Sequence, residues 1–326
     1  MTPAIMPPLV SILIPCHNAG RWVAATLDSA LAQTWSRTEI IVVDDGSRDD
    51  STAVVARYAD RGVKLITQPN RGASAARNAA LAAANGEFIQ FLDADDLIAP
   101  DKITLQMQRL ITASPLHMAS GEWARFTDAP AESKFISEPT WKDLSGLEFQ
   151  LLHYEAGWMM QPAAWLCPRG LLDEAGPWDE TLSLNDDGEY FSRVMLASAG
   201  ILFCPGSRTY YRSGVAGSLS SRNDPVSLRS LWKSNELNCD RLLAAASHSP
   251  RSKNAAANGW QRIAFLVYPA LPSLADEAEA RMRALGGTTC PMPAGPAVRR
   301  LARITGWRLA KRLRDWHSKN LCPRKQ

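Results

Sequence analysis

From Leu9 the chain reads LVSILIP, apolar at nearly every position and closed by a proline. From Arg21 the pattern changes to RWVAATLDSALAQTW, in which Val23, Leu27, Ala30 and Leu31 share one helical face. This strand-then-helix alternation recurs. EIIVVDDGS from Glu39 is an apolar run ending in acids, followed by SRDDSTAVVARYAD, a helix with Ser47 as N-cap and Asp50 three residues on, close to a capping box. VKLITQPN predicts a third strand, RGASAARNAALAAANG an alanine-rich helix stopped by Gly86, and EFIQFLDADD a fourth strand. Strands apolar almost throughout, separated by helices, predict an α/β fold with a mostly parallel central sheet covered on both faces. Farther along, Phe191, Val194, Met195 and Ala197 give an apolar helical face after GPWDETLSLNDDGEY, and residues 223–290 read as helical and rich in alanine.

Ligands of such sheets sit at the carboxyl ends of the strands. The polar residues gather there: His17 and Asn18 after the first strand, Asp44 and Asp45 after the second, Asn70 and Arg71 after the third, and Asp93, Asp95 and Asp96 after the fourth. Carboxylates crowded at the end of an apolar strand need a cation or hydrogen bonds. A bound divalent metal meets that need; the alternative is a solvated turn with Asp101 starting a helix after Pro100. No GxGxxG follows the first strand and no P-loop occurs, so a phosphate ligand here would rely on a metal, with Mg²⁺ or Mn²⁺ suited to one or two carboxylates plus substrate phosphates.

Composition narrows the class. With 326 residues, 46% hydrophobic and 21% charged, the chain predicts an enzyme-sized globular domain of roughly 200 residues or more plus an appendage. Six cysteines lack CxxC or metal-ligand spacing, which predicts reduced thiols rather than a disulfide scaffold. The start MTPAIMPPLV has no secretory-signal pattern, and the apolar stretch from Ile263 is broken by prolines well short of the ~20 residues of a spanning helix. A cytoplasmic location is expected. The net charge of +3 is lopsided: from Ala297 onward ten Lys or Arg face one acid, a tail of +9 that leaves −6 for the rest. On a helical wheel Val298, Leu301, Ala302, Leu309, Leu313 and Trp316 of this tail lie together, with Ile304 and Trp307 intruding on the basic side. Such a helix either lies on an anionic membrane surface or docks on its own domain; no motif for nucleic acid accompanies the charge.

VSILIPCHN, IIVVDDGSRDDS, NRGASAARNAAL and FIQFLDADDLIAPDKI, in this order over residues 9–105, resemble the nucleotide-sugar half of family 2 glycosyltransferases with the GT-A fold. The resemblance implies a GT-A domain over residues 1–222, with a nucleotide-sugar half (1–105) and an acceptor half (106–222), followed by a helical region over 223–326. It implies that Pro15, His17 and Asn18 line the nucleobase and ribose pocket, that Asp45 accepts from a base edge, and that Arg77 reaches toward the nucleotide. Arg77 pairing with a nearby aspartate to hold its helix is the other reading, as is Asp44 capping its turn. Asp93 and Asp95 match the DxD positions: Asp93 near the ribose or the metal, Asp95 as the ligand of a Mn²⁺ or Mg²⁺ ion bridging the diphosphate, with Asp96 a neighbouring acid.

Glycosyl transfer also needs a base for the acceptor hydroxyl. The acids Asp186, Asp187 and Glu189 open the helix in the second half, and an acid-rich first turn is equally what a helix dipole favours. The resemblance places the catalytic base at Asp187, with Asp186 beside it as the other candidate, and Glu189 and Arg193 in the positions that follow. It implies inverting, metal-dependent transfer from a nucleoside diphosphate sugar, a UDP-sugar favoured, to a glycan or lipid-linked acceptor in cell-surface glycan assembly. The processive Gln-x-x-Arg-Trp signature is absent, so addition of one or a few sugars is expected. A catalytically inactive sugar-nucleotide-binding module and a DxD phosphotransferase are the competing classes; the first would lose the acids at 186 and 187, and the second would place its aspartates on the first strand. Trp123, Trp141 and Trp165 read as core, with Trp158 a candidate for the acceptor side.

Overall fold

The computed structural model describes residues 6–157, 160–215, 222–288 and 290–320. The alternation from Leu9 folds as β1 (Val10–Cys16), α1 (Val23–Leu31), β2 (Thr38–Asp45), α2 (Ser51–Ala56), β3 (Val63–Gln68), α3 (Ala73–Ala83) and β4 (Phe88–Phe91). A short β5 (Leu97–Ile98) leads to α4 (Lys102–Leu110), β6 (His117–Phe126), α5 (Gly146–Ala156), β7 (Cys167–Pro168), α6 (Arg169–Ala175), α7 (Asp186–Ala197) and β8 (Gly200–Arg212). The main sheet runs β3-β2-β1-β4-β7. Its first four strands are parallel, and β7 pairs antiparallel with β4. The order reverses between β1 and β4, so the crevice at the carboxyl ends of these two strands is where the fold opens a site. A second sheet, β5-β8-β6, extends from the end of β4.

Period two, with both faces covered, explains why β1, β2 and β4 are apolar at most positions. Ile12 and Ile14 of β1 pack on one face with Val23 and Leu27 of α1 and Ile103 and Met107 of α4, while Leu13 faces the opposite cluster with Ala76 and Ala80 of α3. That second cluster is aromatic around Phe91: Trp178 lies edge-on at 5.2 Å, Tyr190 at 5.9 Å and Phe191 at 6.4 Å. Phe91 stands two residues before Asp93, so this packing fixes where the acidic strand end emerges. Trp165 is in the same core; Trp141 stacks on Phe203 and Trp123 lies edge-on to Tyr211, whereas Trp158 lies outside the described residues.

The described residues beyond 222 are mostly helical, as expected, with α8 (Pro225–Ala245), α9 (Pro250–Val267) and α10 (Pro272–Ala284) packing with α5 around Trp232, Trp260 and Tyr154. Among the described residues no helix is long and apolar enough to cross a membrane. The basic tail is not one helix: α11 (Pro296–Thr305) and α12 (Trp307–Asn320) are separated by Gly306 at φ 78°. Two boundaries also differ from the sequence pattern. Ser47 does not cap α2, because the Asp44 carboxylate accepts the Ser47 N–H and the Ser47 hydroxyl accepts the Asn18 N–H, so the helix starts at Ser51. Helix α3 ends at Ala83 rather than at Gly86.

Gly146 begins α5 against the backbone of α7, where a Cβ would stand 1.7 Å from the Met195 carbonyl oxygen. Gly170, in α6, has nothing within 4 Å of that position. In urea unfolding, Gly146→Ala is expected to cost about 2 kcal/mol or more. Gly170→Ala is expected to stabilise by about 0.5–1 kcal/mol, because alanine loses less backbone entropy on entering a helix. Equal effects at the two sites would contradict the close α5–α7 approach.

Candidate active site

Helix α3 organises the crevice. Its N-terminus is clamped by Asp45, whose Oδ1 accepts the Arg71 N–H at 2.8 Å and the Gln68 side-chain N–H at 2.7 Å, and whose Oδ2 accepts the Gly72 N–H at 2.8 Å. Asp45 is thus already the anchor of the loop joining β3 to α3, with acceptor capacity left on Oδ2. Its carbonyl oxygen lies 2.8 Å from His17 Nδ1, so Nδ1–H donates there and leaves Nε2 to accept the Asn18 side-chain N–H at 2.9 Å. Asn70 donates to the same carbonyl at 2.9 Å. These contacts knit the ends of β1, β2 and β3 together, with His17 and Asn18 exposed at the surface of the crevice and Pro15 half-buried beneath them. Asn18 sits at φ 49°, where its side-chain oxygen accepts the Arg48 N–H. Asp44 is buried and caps its turn through Ser47.

One turn into α3, Ser74 and Arg77 reach the other side. The Arg77 guanidinium, 5% exposed, donates from Nη2 to Asp93 at 2.8 Å and from Nη1 to Asp186 at 2.8 Å. Ser74 Oγ donates to the same Asp186 oxygen at 2.9 Å. Beneath the guanidinium lies the Trp178 ring, 4.5 Å from its carbon, which stacks in turn on Tyr190 at 4.0 Å. Burial works against the charge on Arg77, and the Asp93 and Asp186 carboxylates outweigh it, so the guanidinium stays ionised. Of the two sequence readings of Arg77, this is the pairing one.

The acids do not share one state. Asp186 takes Arg77 and Ser74 on one oxygen, whereas among the described residues Asp187 accepts the Gly188 N–H alone, at 2.8 Å. Burial, then the Asp186 charge, pushes the Asp187 carboxyl up to about 7. Burial, then Asp93, pushes Asp95 up to about 6. Asp96, 1% exposed, accepts the Arg212 N–H at 2.7 Å through Oδ1, and its other oxygen is buried without a partner; burial, then Asp95 and Asp93, holds it well above the usual carboxylate range. Arg212 also ties the Asp95 carbonyl at 2.8 Å and lies 4.2 Å over Trp22. Glu189 is buried between Arg193 at 3.0 Å and Arg241 at 2.7 Å, which makes it an anchor of α7 rather than a group open to a substrate.

Among the described residues no group of three or more His, Cys, Asp or Glu side chains is arranged to enclose a metal ion. The DxD carboxylates nevertheless fit one. Asp93 and Asp95 are close enough for Asp93 to raise Asp95, and although one Asp93 oxygen accepts from Arg77, a carboxylate pair of this kind could hold a hard cation that takes its remaining oxygens from phosphates and water.

Several residues that shape this crevice gave no signal as single positions. The turn before α7, with Asn185 at φ 60°, rests on α8: Ser234 exchanges hydrogen bonds with the Asn185 side chain and carbonyl, Ser230 receives the Ser183 and Leu184 N–H groups, and Asn238 donates to the Gly188 carbonyl. Ser230, Ser234 and Asn238 recur every four residues on a buried helical face, and that polar stripe was the available clue. Ser74, Trp178 and Arg212 had none, because their partners are distant in sequence.

Residues 11–175, half of the chain, match the family model described as glycosyl transferase family 2. An Escherichia coli protein named UDP-Glc:alpha-D-GlcNAc-diphosphoundecaprenol beta-1,3-glucosyltransferase is 39% identical over 104 residues, covering 32% of this chain and 41% of that one. An uncharacterised glycosyltransferase of Rickettsia typhi is 30% identical over 198 residues, 59% of this chain and 60% of that one. The chain therefore spans less than two thirds of the length of these curated relatives. In fold it is similar to S. aureus TarS residues 1–349 in complex with UDP-GlcNAc (TM-score 0.61, 18% identity, 85% of this chain and 89% of that one). It is also similar to the mannosyltransferase PcManGT from Pyrobaculum calidifontis in complex with GDP-Man and Mn²⁺ (TM-score 0.53, 18% identity, 98% and 89%). With its α/β architecture of the GT-A type and this match across half its length, the chain belongs to glycosyl transferase family 2.

Proposed function

We propose that this protein transfers a sugar from a nucleoside diphosphate sugar to an acceptor hydroxyl with inversion at the anomeric carbon, Asp187 acting as the general base. The observation that carries this reading is the division of labour between two adjacent acids: Asp186 is bonded to the Arg77 cation and to Ser74, while Asp187 is bonded to no cation among the described residues and has a proton affinity raised to about 7. A base near 7 is ionised often enough to act and basic enough to take a hydroxyl proton.

The donor is read into the crevice between β1 and β4. His17, Asn18 and Pro15 would border the base and ribose, with Asp45 offering the free acceptor capacity of Oδ2 to a base edge. Asp95, with Asp93, would hold a Mn²⁺ or Mg²⁺ ion, which when bound supplies positive charge to the departing diphosphate. Asp93 is fixed for this by Arg77, so the residues that would grip donor and acceptor are set against each other by one side chain. As Asp187 takes the acceptor proton, the acceptor oxygen bonds to the anomeric carbon and the sugar–diphosphate bond breaks, its electron pair leaving with the diphosphate.

A UDP-sugar is the favoured donor, since the relative named above is a UDP-Glc enzyme and one structural neighbour holds UDP-GlcNAc, although the other holds GDP-Man. The acceptor class proposed is a glycan or a lipid-linked sugar at the cytoplasmic face of a membrane, in cell-surface glycan assembly. The competing readings, an inactive binding module and a DxD phosphotransferase, predict no dependence on Asp187.

In a transfer assay, Asp187→Asn is expected to lower kcat by about 10²–10⁴-fold while leaving donor affinity near that of the wild type. Wild-type kcat should rise with pH and level off above about 7, because the active form of Asp187 is the ionised one, and the variant should lack this limb. Transfer near the wild-type rate in Asp187→Asn would sink the assignment. Arg77→Met leaves Asp93 and Asp186 facing each other without their buried cation and is expected to lower unfolding free energy by roughly 3–5 kcal/mol in urea titrations at neutral pH. A loss below about 1 kcal/mol, as for an exposed ion pair, would show that the guanidinium does not hold the crevice.

A further inference from the structure

Away from the crevice, a cavity of 480 Å³ lies between α9, α10 and α11. Its wall is apolar, formed by Ala264, Phe265, Met282, Met292, Ala302 and Trp307, with Arg299 and Arg303 of α11 also lining it. Glu279, the acid at this cavity, is already engaged: it accepts the Trp307 indole N–H at 2.8 Å and pairs with Arg283 and Arg308. The site therefore offers an apolar interior beside two guanidinium groups. A volume of this size is in the range of small-molecule pockets.

The two tail helices around it are incompletely used by their own domain. Helix α11 has no buried residue, and its Ile304 is 85% exposed. Helix α12 docks with one stripe: Trp307 packs beside Phe265 and Tyr268, Ala310 is buried, and the Lys311 ammonium donates to the Phe265 carbonyl at 2.7 Å. On another side of the same helix Leu309 and Leu313, four residues apart, form a second, exposed stripe. A helix that only docks needs one apolar stripe; this one has two. Arg300 and Arg303 have no acidic partner among the described residues, in a tail whose single acid, Asp315, is paired with Arg314.

We infer that α11 and α12 form a docking surface for an anionic lipid bilayer, with the cavity beneath them taking one acyl chain of an anionic phospholipid whose phosphate meets Arg299 and Arg303. Charge complementarity selects the anionic lipid, and the apolar cavity wall selects a hydrocarbon chain over a second polar partner. The two sequence readings of the tail, membrane surface and self-docking, are then both used, one by each stripe of α12. This inference does not depend on the transfer reaction.

The test is flotation of the full chain with phosphatidylcholine vesicles, with and without phosphatidylglycerol, followed by native mass spectrometry of protein recovered from them. The wild type is expected to float only with the anionic vesicles, less so at high salt, and to retain one phosphatidylglycerol. Ile304→Gln/Leu309→Gln/Leu313→Gln should weaken vesicle binding about 10-fold or more with an unchanged thermal midpoint, since the apolar area entering the interface is lost. Ala302→Trp, which fills the cavity, should still bind vesicles yet retain no lipid. Failure to float with anionic vesicles, or binding unaffected by the triple variant, overturns the docking surface. A lipid retained equally by Ala302→Trp, or none retained by the wild type, overturns the acyl-chain site; so does inorganic phosphate alone raising the thermal midpoint as much as the phospholipid, which would reduce the site to one for a free anion.

Discussion

A single buried guanidinium holds this molecule's chemistry together. Arg77 ties Asp93, at the end of a strand in the first hundred residues, to Asp186, at the start of a helix more than ninety residues later. Both bonds are charge-assisted and partly buried, and the cation rests on Trp178, itself stacked within the aromatic cluster around Phe91. The core therefore positions the site directly. Phe91 sets the height of the acidic strand end, Trp178 sets the height of the guanidinium, and the guanidinium sets the spacing of the two carboxylates.

The same arrangement explains why neighbouring acids behave differently. One cation cannot neutralise Asp93, Asp95, Asp96, Asp186 and Asp187 together. Arg77 touches Asp93 and Asp186, and burial, then the charge of the neighbouring acid, raises the proton affinity of Asp187 and Asp95. Asp96 is the most buried of the five and is satisfied on one oxygen by the Arg212 backbone, which binds the DADD loop to β8.

The sheet was legible in the sequence because both faces of β1, β2 and β4 are covered, which forces unbroken apolar runs, and because parallel strands need helical crossovers between them. The gathering of polar residues at strand ends was legible for the same reason. Local competition was harder to read. Ser47 looks like a helix cap, but it lies one turn early because Asp44 and Asn18 both claim it. For Arg77 the sequence offered pairing with a nearby aspartate but not the second partner, Asp186, and the seat of α7 on Ser230, Ser234 and Asn238 was not legible in its partners, since each contact joins residues far apart in the chain. The tail defeats a single helical wheel because Gly306 resets the helical phase between α11 and α12.

The most direct test of the account is a thermal-shift comparison of UDP-, GDP-, CDP- and dTDP-sugars, each with and without Mn²⁺, on the wild type and on Asp95→Ala. Binding to the folded state raises the midpoint by mass action, so donor class and the role of the carboxylate pair are read together. A Mn²⁺-dependent rise with one nucleotide, a UDP-sugar first among them, is expected, and it should disappear in a folded Asp95→Ala. A rise of equal size without Mn²⁺ and in Asp95→Ala, or no rise with any nucleotide sugar, would contradict it.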